Sequence, residues 1–103
     1  MARKRMISPE IWIDEGFIEL SVEGRLLFIG LISMADDEGK GRGSAKGLKA
    51  QVFPSDDLTL DEVENVKKVV SELMNVRFYN VNGKEYYRLR NWNKYQSINK
   101  PTP

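Results

Sequence analysis

A long apolar run between positions 21 and 34 constrains the fold more than any other stretch of this chain. Its sequence is S-V-E-G-R-L-L-F-I-G-L-I-S-M, with almost no polar interruption after Arg25. Strands usually end within about 8 residues, so the length predicts a helix that other elements surround. Ser21 is a suitable N-cap, Glu23 suits the positive end of the helix dipole, and Gly30 leaves room for a close neighbour. The run is too short to span a bilayer, which needs about 20 apolar residues.

The composition limits the kinds of chemistry this chain can perform. At 103 residues it predicts one domain with one modest core. The net charge is only +1, so any affinity for nucleic acid must come from how charge is distributed. There is no Cys and no His, which removes disulfides, thiol nucleophiles, imidazole bases and the usual zinc sites. We therefore expect no enzymatic activity, no cofactor and no metal, and the composition fits a reducing cytoplasm.

The N-terminal part of the chain predicts a basic arm followed by a short helix. The arm is formed by residues 2–7, which include R-K-R. The motif S-P-E at 8–10 supplies an N-cap, a proline at the first helical position and an acid in the first turn. This predicts a short helix at residues 9–15. Trp12 and Phe17 are large and apolar, and we expect both in the core.

A loop of acidic, glycine and basic residues is expected after the central helix. Residues 36–38 are D-D-E, but their spacing lacks the alternating ligands of an EF-hand, which favours a solvated turn. The following K-G-R-G at 40–43 predicts a short, flexible, basic segment. It does not match the phosphate-binding P-loop pattern.

Two further helices are predicted in the second half of the chain. Residues 44–52 suit a short helix, weakened by Gly47. Residues 59–74 give the clearest helix, because Thr59 and Glu62 have the spacing of a capping box. Its apolar stripe, with recurrences of three and four residues, consists of Leu60, Val63, Val66, Val69, Val70, Leu73 and Met74.

A β-hairpin is predicted at residues 76–90. Asn82-Gly83 is a strong signal for a two-residue type I′ turn, which requires positive φ at both positions. This loop pairs position 79 with 86 and position 77 with 88. Because side chains alternate along a strand, one face is expected to join the core and the other to face outward. The expected core face is Val76, Phe78, Tyr87 and Leu89; the expected outer face is Arg77, Tyr79, Val81, Lys84, Tyr86 and Arg88.

The order of these elements predicts an α+β winged helix-turn-helix. Its three-helix core would be preceded by the short N-terminal helix and followed by the hairpin as a C-terminal wing. Many functions occur on this fold. Trp92 and Tyr95 are expected to fold back onto the domain, which we place at residues 1–98, with a linker or C-terminal tail starting at 99–103.

Several blocks of sequence resemble one protein family. They are R-M-I-S-P-E-I-W at 5–12, R-L-L-F-I-G-L at 25–31, A-D-D-E-G at 35–39, N-W-N-K-Y-Q at 91–96 and I-N-K-P-T-P at 98–103. Together they are similar to the N-terminal domain of phage replisome-organiser, DnaD-like replication proteins. In that family the domain is a winged helix. The wider group takes part in loading the replication machinery at an origin, and its winged helices are associated with oligomerisation.

The resemblance implies a cellular location and a set of binding partners for this chain. It implies a phage protein in the cytoplasm of a bacterial host, with DNA as its principal partner. A homo-oligomer and contacts with replication proteins, such as a helicase loader, are further implied partners. We expect neither a membrane nor a small-molecule substrate as a partner. Family members usually continue into a C-terminal region that follows this domain.

Charge along the second half of the chain favours the hairpin over the third helix as a DNA contact. The helix face opposite the apolar stripe carries Asp61, Glu64 and Glu72, which phosphates would repel, and only Asn65 and Lys68 could contact bases. The hairpin instead alternates basic residues with tyrosines, which can neutralise phosphates and stack on bases. The predicted DNA-binding residues are Arg77, Tyr79, Lys84, Tyr86, Arg88, Arg90, Lys46, Lys49, Asn65, Lys68, Arg3, Lys4 and Arg5.

Two alternatives to DNA contact are open for the outer hairpin face. It could be a solvated surface on which long Lys and Arg stems cover the tyrosines. It could also be an interface for oligomerisation or for docking a replication protein, since exposed tyrosines suit protein contacts. For the domain as a whole, a transcriptional regulator on the same fold is an alternative to a replication protein.

Overall fold

A computed structural model describes residues 4–92, which form four α-helices, a short 3-10 helix and one three-stranded antiparallel sheet. The predicted α+β class is confirmed. The sheet order is β1-β3-β2, so the last strand lies in the middle. In chain order the elements are a 3-10 helix at Pro9–Ile13, α1 at Glu15–Glu19, α2 at Val22–Met34, β1 at Lys40–Arg42, α3 at Ala45–Val52, α4 at Leu60–Met74, β2 at Val76–Val81 and β3 at Lys84–Leu89.

The apolar run forms α2, and the other elements surround it as expected. Leu27, Phe28 and Leu31 are completely buried. A Cβ on Gly30 would lie 2.8 Å from a methyl carbon of Val52, so α3 approaches α2 closely at this glycine. Within residues 4–92, no helix combines the length and the apolar character that crossing a membrane requires.

Side-chain caps fix where the helices begin. The Gly24 N–H donates to Ser21 Oγ at 3.1 Å, which caps α2. At the start of α4 the Glu62 N–H donates to Thr59 Oγ1 at 3.1 Å, and the Thr59 N–H donates to Glu62 Oε1 at 2.8 Å. The predicted capping box is therefore confirmed. Ser44 caps α3 in the same way as Ser21 caps α2.

The predicted short helix at residues 9–15 is present as a 3-10 helix at Pro9–Ile13, but its predicted end is wrong because the chain divides there into two short elements. Asp14 has an extended backbone, with φ −68° and ψ 128°, and ends the 3-10 helix. Its carboxylate then accepts the Phe17 N–H at 3.1 Å and starts α1. The prediction that Trp12 lies in the core is also wrong, since 58% of its surface is exposed. Phe17 occupies the core position against Phe28. Trp12 packs on Phe17 in a T-shaped arrangement, with ring centroids 5.5 Å apart.

The hairpin has the predicted turn, register and faces. Asn82 and Gly83 both have positive φ, at 53° and 82°. Residue 79 pairs with 86 and residue 77 with 88. Tyr87 and Leu89 are buried against the helices, and Trp92 beyond them is buried as well. Tyr95 and the expected boundary at residues 98–99 lie outside the described residues.

The expected flexible segment at residues 40–43 is instead mostly a strand. Lys40–Arg42 forms β1, which pairs antiparallel with β3. Gly41 lies opposite Tyr87, and a Cβ on Gly41 would be 2.7 Å from the tyrosine ring. The glycine therefore lets β1 lie directly over a large buried side chain. The acidic turn before it is confirmed, because the Asp36 carboxylate accepts the N–H groups of Glu38 and Lys40 at 2.9 and 3.0 Å.

Candidate nucleic-acid interface

Three strands contribute side chains to one basic and aromatic surface, here called the outer sheet face. Directly opposed residues of antiparallel strands share a face. Lys40 is opposite Arg88 and Arg42 is opposite Tyr86, so β1 extends the face predicted for the hairpin. The members of the outer sheet face are Lys40, Arg42, Arg77, Tyr79, Val81, Lys84, Tyr86 and Arg88.

Two tyrosines and two arginines form an ordered row across this face. Tyr79 and Tyr86 stack at a centroid distance of 6.0 Å and an interplanar angle of 28°. The Arg77 guanidinium lies 5.7 Å from the centre of the Tyr79 ring, and that of Arg42 lies 5.6 Å from the centre of the Tyr86 ring. Cation–π contact limits the motion of both arginine side chains. Each guanidinium retains N–H donors with which it can bind a phosphate.

The charge of the outer sheet face is strongly positive. Its five basic side chains lie on adjacent strands, whereas the nearby acids are engaged at the turn before β1. Asp36 is held by backbone N–H groups, and Glu38 forms an exposed ion pair with Lys40 at 3.1 Å. Exposed pairs of this kind are weak, so a phosphate could replace Glu38 as the partner of Lys40. A shallow groove runs between β1 and the tyrosine pair.

The inner side of the sheet holds this face rigidly on the helices. The Tyr87 hydroxyl donates to the Leu31 carbonyl oxygen in α2 at 2.7 Å. Burial, and secondarily the Asp36 carboxylate, raises the pKa of Tyr87 well above its ordinary value of about 10. The phenol therefore remains neutral and keeps its hydrogen bond at any physiological pH.

Lys67 forms a second link between the helices and the hairpin, which the sequence pattern did not identify. It lies at the edge of the apolar stripe of α4, yet its side chain is only 3% exposed. Its ammonium pairs with Glu64 at 3.1 Å and with Glu85 of β3 at 2.8 Å, and lies 4.8 Å from the centre of the Phe78 ring. The signal in the sequence was weak, because Glu85 occupies an inward-facing hairpin position that is paired with the polar Asn80.

Arg5 must be removed from the predicted DNA-binding residues. Its guanidinium donates to the Ala35 carbonyl at 2.8 Å, pairs with Asp37 at 3.0 Å and lies 5.2 Å from the centre of the Trp92 ring. With its side chain 7% exposed, it fastens the N-terminal arm to the domain and has no free surface for phosphate. Lys4 is exposed. Arg3 lies outside the described residues.

The remaining predicted residues lie outside the three strands that form the outer sheet face. Lys46 and Lys49 are on α3, while Asn65 and Lys68 are on the exposed side of α4. Arg90 follows β3 and, with Arg88, borders a hollow that also contains Asp37 and Glu38. The exposed side of α4 also carries Asp61, Glu64 and Glu72. The structure thus separates a basic sheet surface from a helical surface of mixed charge.

Neither a metal site nor a known relative assigns a function to these surfaces. In the part of the chain from residue 4 to 92, no three Asp or Glu side chains are close enough to hold a metal ion. A scan of protein-family models, a search of curated proteins and a search of solved structures each found no match to this chain.

Proposed function

We propose that this chain is the DNA-binding domain of a phage-type DNA replication protein of the replisome-organiser class, and that it contacts DNA through the outer sheet face. The observation that carries the proposal is the concentration of five basic side chains around the stacked Tyr79 and Tyr86. Such a surface neutralises phosphates with its cations and offers aromatic rings to sugars or bases. The setting we propose is the cytoplasm of a bacterial host.

The order of elements supports a winged-helix arrangement for this domain. α2, α3 and α4 correspond to the three core helices, and the short β1 pairs with the last strand. β2, β3 and the Asn82-Gly83 turn correspond to the wing. In this arrangement α4 is the helix that would enter the major groove. Its exposed acids argue against that mode, so we assign the DNA contact to the wing and to β1.

The chemistry of the outer sheet face favours binding with little sequence discrimination. Lys and Arg side chains on an exposed sheet bind phosphates of any sequence, and stacking on tyrosine accepts every base. Direct readout instead needs side chains held in a groove against base edges. The described residues suited to that role, Asn65 and Lys68, lie among the acids of α4.

The proposal is tested by removing two charges from each of two surfaces. Labelled DNA, both duplex and single-stranded, is titrated by fluorescence anisotropy at several salt concentrations. Each phosphate contact contributes roughly one unit to the slope of log affinity against log salt. We expect Arg77→Ala/Arg88→Ala to reduce that slope by about two and to weaken binding to all sequences similarly.

The matched control is Lys46→Ala/Lys68→Ala, which changes the net charge equally but acts on the helical surface. We expect it to retain nearly the parent affinity. Equal losses of DNA affinity in the two variants would mean that only the total charge determines binding. A loss of affinity confined to the control variant would mean that DNA binds the helical surface. Either result contradicts the outer sheet face as the binding site.

A second candidate function, assembly of a replication complex, uses the same tyrosine pair. Stacked tyrosines on an exposed sheet also suit a protein interface, in which they would pack against a second copy or a helicase loader. Light scattering on the same samples separates the two. An oligomer that forms without DNA, is lost in Tyr79→Ala and shows no salt-dependent DNA binding would favour assembly. Sequence-selective duplex binding would instead favour a transcriptional regulator on this fold.

A further inference from the structure

An apolar surface at the start of the domain is left uncovered by its own core. We call it the N-terminal surface and define it by five exposed side chains within residues 12–26. Their exposed fractions are 58% for Trp12, 78% for Ile13, 57% for Ile18, 69% for Val22 and 44% for Leu26. Single exposed apolar residues are common, but several in one short segment indicate an interaction site.

The local structure fixes this set in place. Trp12 meets the edge of the buried Phe17 ring, and Asp14 caps α1 so that Ile18 follows one turn later. Val22 and Leu26 are one turn apart on the same side of α2. The apolar residues that alternate with this set are the ones that fill the core: Ile11, Phe17, Leu20 and Leu27.

Acidic residues outnumber basic ones in the segment that forms the N-terminal surface. Residues 10–26 contain five acidic residues and one basic residue, Arg25. Asp14 is used as a helix cap, and the Ser8 hydroxyl contacts Glu10. Glu15, Glu19 and Glu23 are exposed and form no ion pair with any residue from 4 to 92. The segment therefore combines exposed apolar side chains with three exposed carboxylates that pair with no cation among the described residues.

Exposed apolar side chains together with exposed carboxylates determine which class of ligand can bind the N-terminal surface. Phosphates of nucleic acid and anionic lipid headgroups are both repelled by the carboxylates. A cationic protein segment with an apolar stripe satisfies both features, because its stripe covers the apolar side chains while its Lys and Arg meet the acids. The surface is built from helices and offers no strand edge, which favours a helical segment.

We propose that the N-terminal surface docks a basic amphipathic helix of a partner protein. The docked helix would lie with its apolar side chains against Trp12, Ile13 and Val22, and with basic side chains beside Glu15, Glu19 and Glu23. This site does not involve the outer sheet face, so it does not depend on whether that face binds DNA. The domain would then bind two partners of opposite charge at separate surfaces.

The test uses a synthetic amphipathic peptide of about 18 residues, with leucines on one helical face and lysines on the other. It is titrated into the isotope-labelled chain, and amide shifts are followed by NMR. We expect shifts concentrated at residues 10–26 and weaker binding at high salt. A peptide with glutamates in place of the lysines should not bind. Shifts centred on the acidic side of α4, or equal binding of both peptides, would overturn the proposal.

Matched variants test the apolar contribution. We expect Ile13→Ser/Val22→Ser to weaken peptide binding roughly tenfold, because both side chains would be interface anchors. Leu60→Ser/Val69→Ser removes exposed apolar side chains on α4 and should leave peptide binding unchanged. Unchanged binding in the first pair would overturn the proposal. Self-association of the parent that disappears in Ile13→Ser/Val22→Ser would also overturn it, since a second copy would then be the occupant.

Discussion

The two faces of the β2–β3 hairpin use alternate residues of the same strands for opposite purposes. The inner face places Val76, Tyr87 and Leu89 in the core, each at most 2% exposed. The outer face places Arg77, Tyr79, Tyr86 and Arg88 in solvent or half-buried. The difference is clearest between Tyr87 on β3 and Tyr79 on the adjacent strand β2. Tyr87 anchors the sheet to α2, whereas Tyr79 stacks on Tyr86 beside two arginines.

This difference shows how stability and binding can be separated within one short segment. Burial and the hydrogen bond to Leu31 make Tyr87 important for the free energy of unfolding. The outer side chains gain little from folding, so they are free to be selected for charge. The separation predicts that inner-face substitutions change stability and that outer-face substitutions change binding.

The largest expected effect comes from truncating the two tyrosines in parallel. Tyr87→Ala should lower the free energy of unfolding by about 3–5 kcal/mol, because it leaves a large cavity beneath β1 and β3. Tyr79→Ala removes a half-buried ring and should cost about 1 kcal/mol or less. Urea denaturation followed by circular dichroism measures both. Similar decreases in the free energy of unfolding of the two variants would contradict the assignment of stability to the inner face and of binding to the outer face.

A smaller loss is expected where β1 crosses Tyr87. Gly41→Ala places a Cβ 2.7 Å from a ring that is fully buried and cannot move aside. We expect a loss of about 1–3 kcal/mol from this overpacking. Arg42→Ala, the next position on the outer sheet face, should change stability by about 0.5 kcal/mol or less. If Gly41→Ala is as stable as the parent in the same urea assay, β1 does not pack on Tyr87 as described.

Tyr87→Phe tests the hydrogen bond without opening a cavity. The lost bond to the Leu31 carbonyl should cost about 1–2 kcal/mol at neutral pH. Because burial raises the pKa of Tyr87, the unfolded phenol ionises near pH 10 while the folded one stays protonated. The parent should therefore lose stability as pH rises above about 10.

Urea midpoints measured from pH 8 to about 11 check this pH dependence. Tyr87→Phe should lack the loss of stability that ionisation of Tyr87 causes. The difference in urea midpoint between this variant and the parent should therefore become smaller as pH rises. Tyr86→Phe, on the outer sheet face, is the control, because it also removes a tyrosine hydroxyl but should retain the pH-dependent loss that Tyr87 causes. A gap of constant size across this range would show that Tyr87 ionises equally in the folded and unfolded states.

The smallest effect on stability is expected from Arg77→Ala/Arg88→Ala. Both side chains are exposed, so the free energy of unfolding should stay within about 0.5 kcal/mol of the parent. The DNA-binding losses described above would then come from the interface itself. Thermal unfolding of the double variant provides the check. A lowered melting temperature would mean that the row of arginines and tyrosines also holds the sheet together.

Local signals in the sequence were sufficient for most element boundaries. The caps at Ser21, Ser44 and Thr59 act on N–H groups within three residues, and the Asn82-Gly83 turn sets the hairpin register. The outer face of the hairpin followed from that register. These features could be predicted because all the interacting groups lie close together in the sequence.

Features that depend on distant partners could not be predicted in this way. β1 has three residues and a central glycine, so nothing local marks it as a strand. It forms because the edge of β3 is available for pairing, and it adds Lys40 and Arg42 to the candidate site. Arg5 resembled its neighbours in the basic arm, but its partners are Asp37 and the distant Trp92.

The sequence alone determined α2, α3, α4, the hairpin and the alternation of its two faces, because these depend on short-range hydrogen bonds and on the periodicity of apolar residues. Tertiary structure decided which charges are available for binding. It buried Arg5 and Lys67 against partners from other elements, left Trp12 exposed while Phe17 filled the core, and brought a third strand to the outer sheet face. The physical reason is that burial and ion pairing depend on groups that only folding brings together.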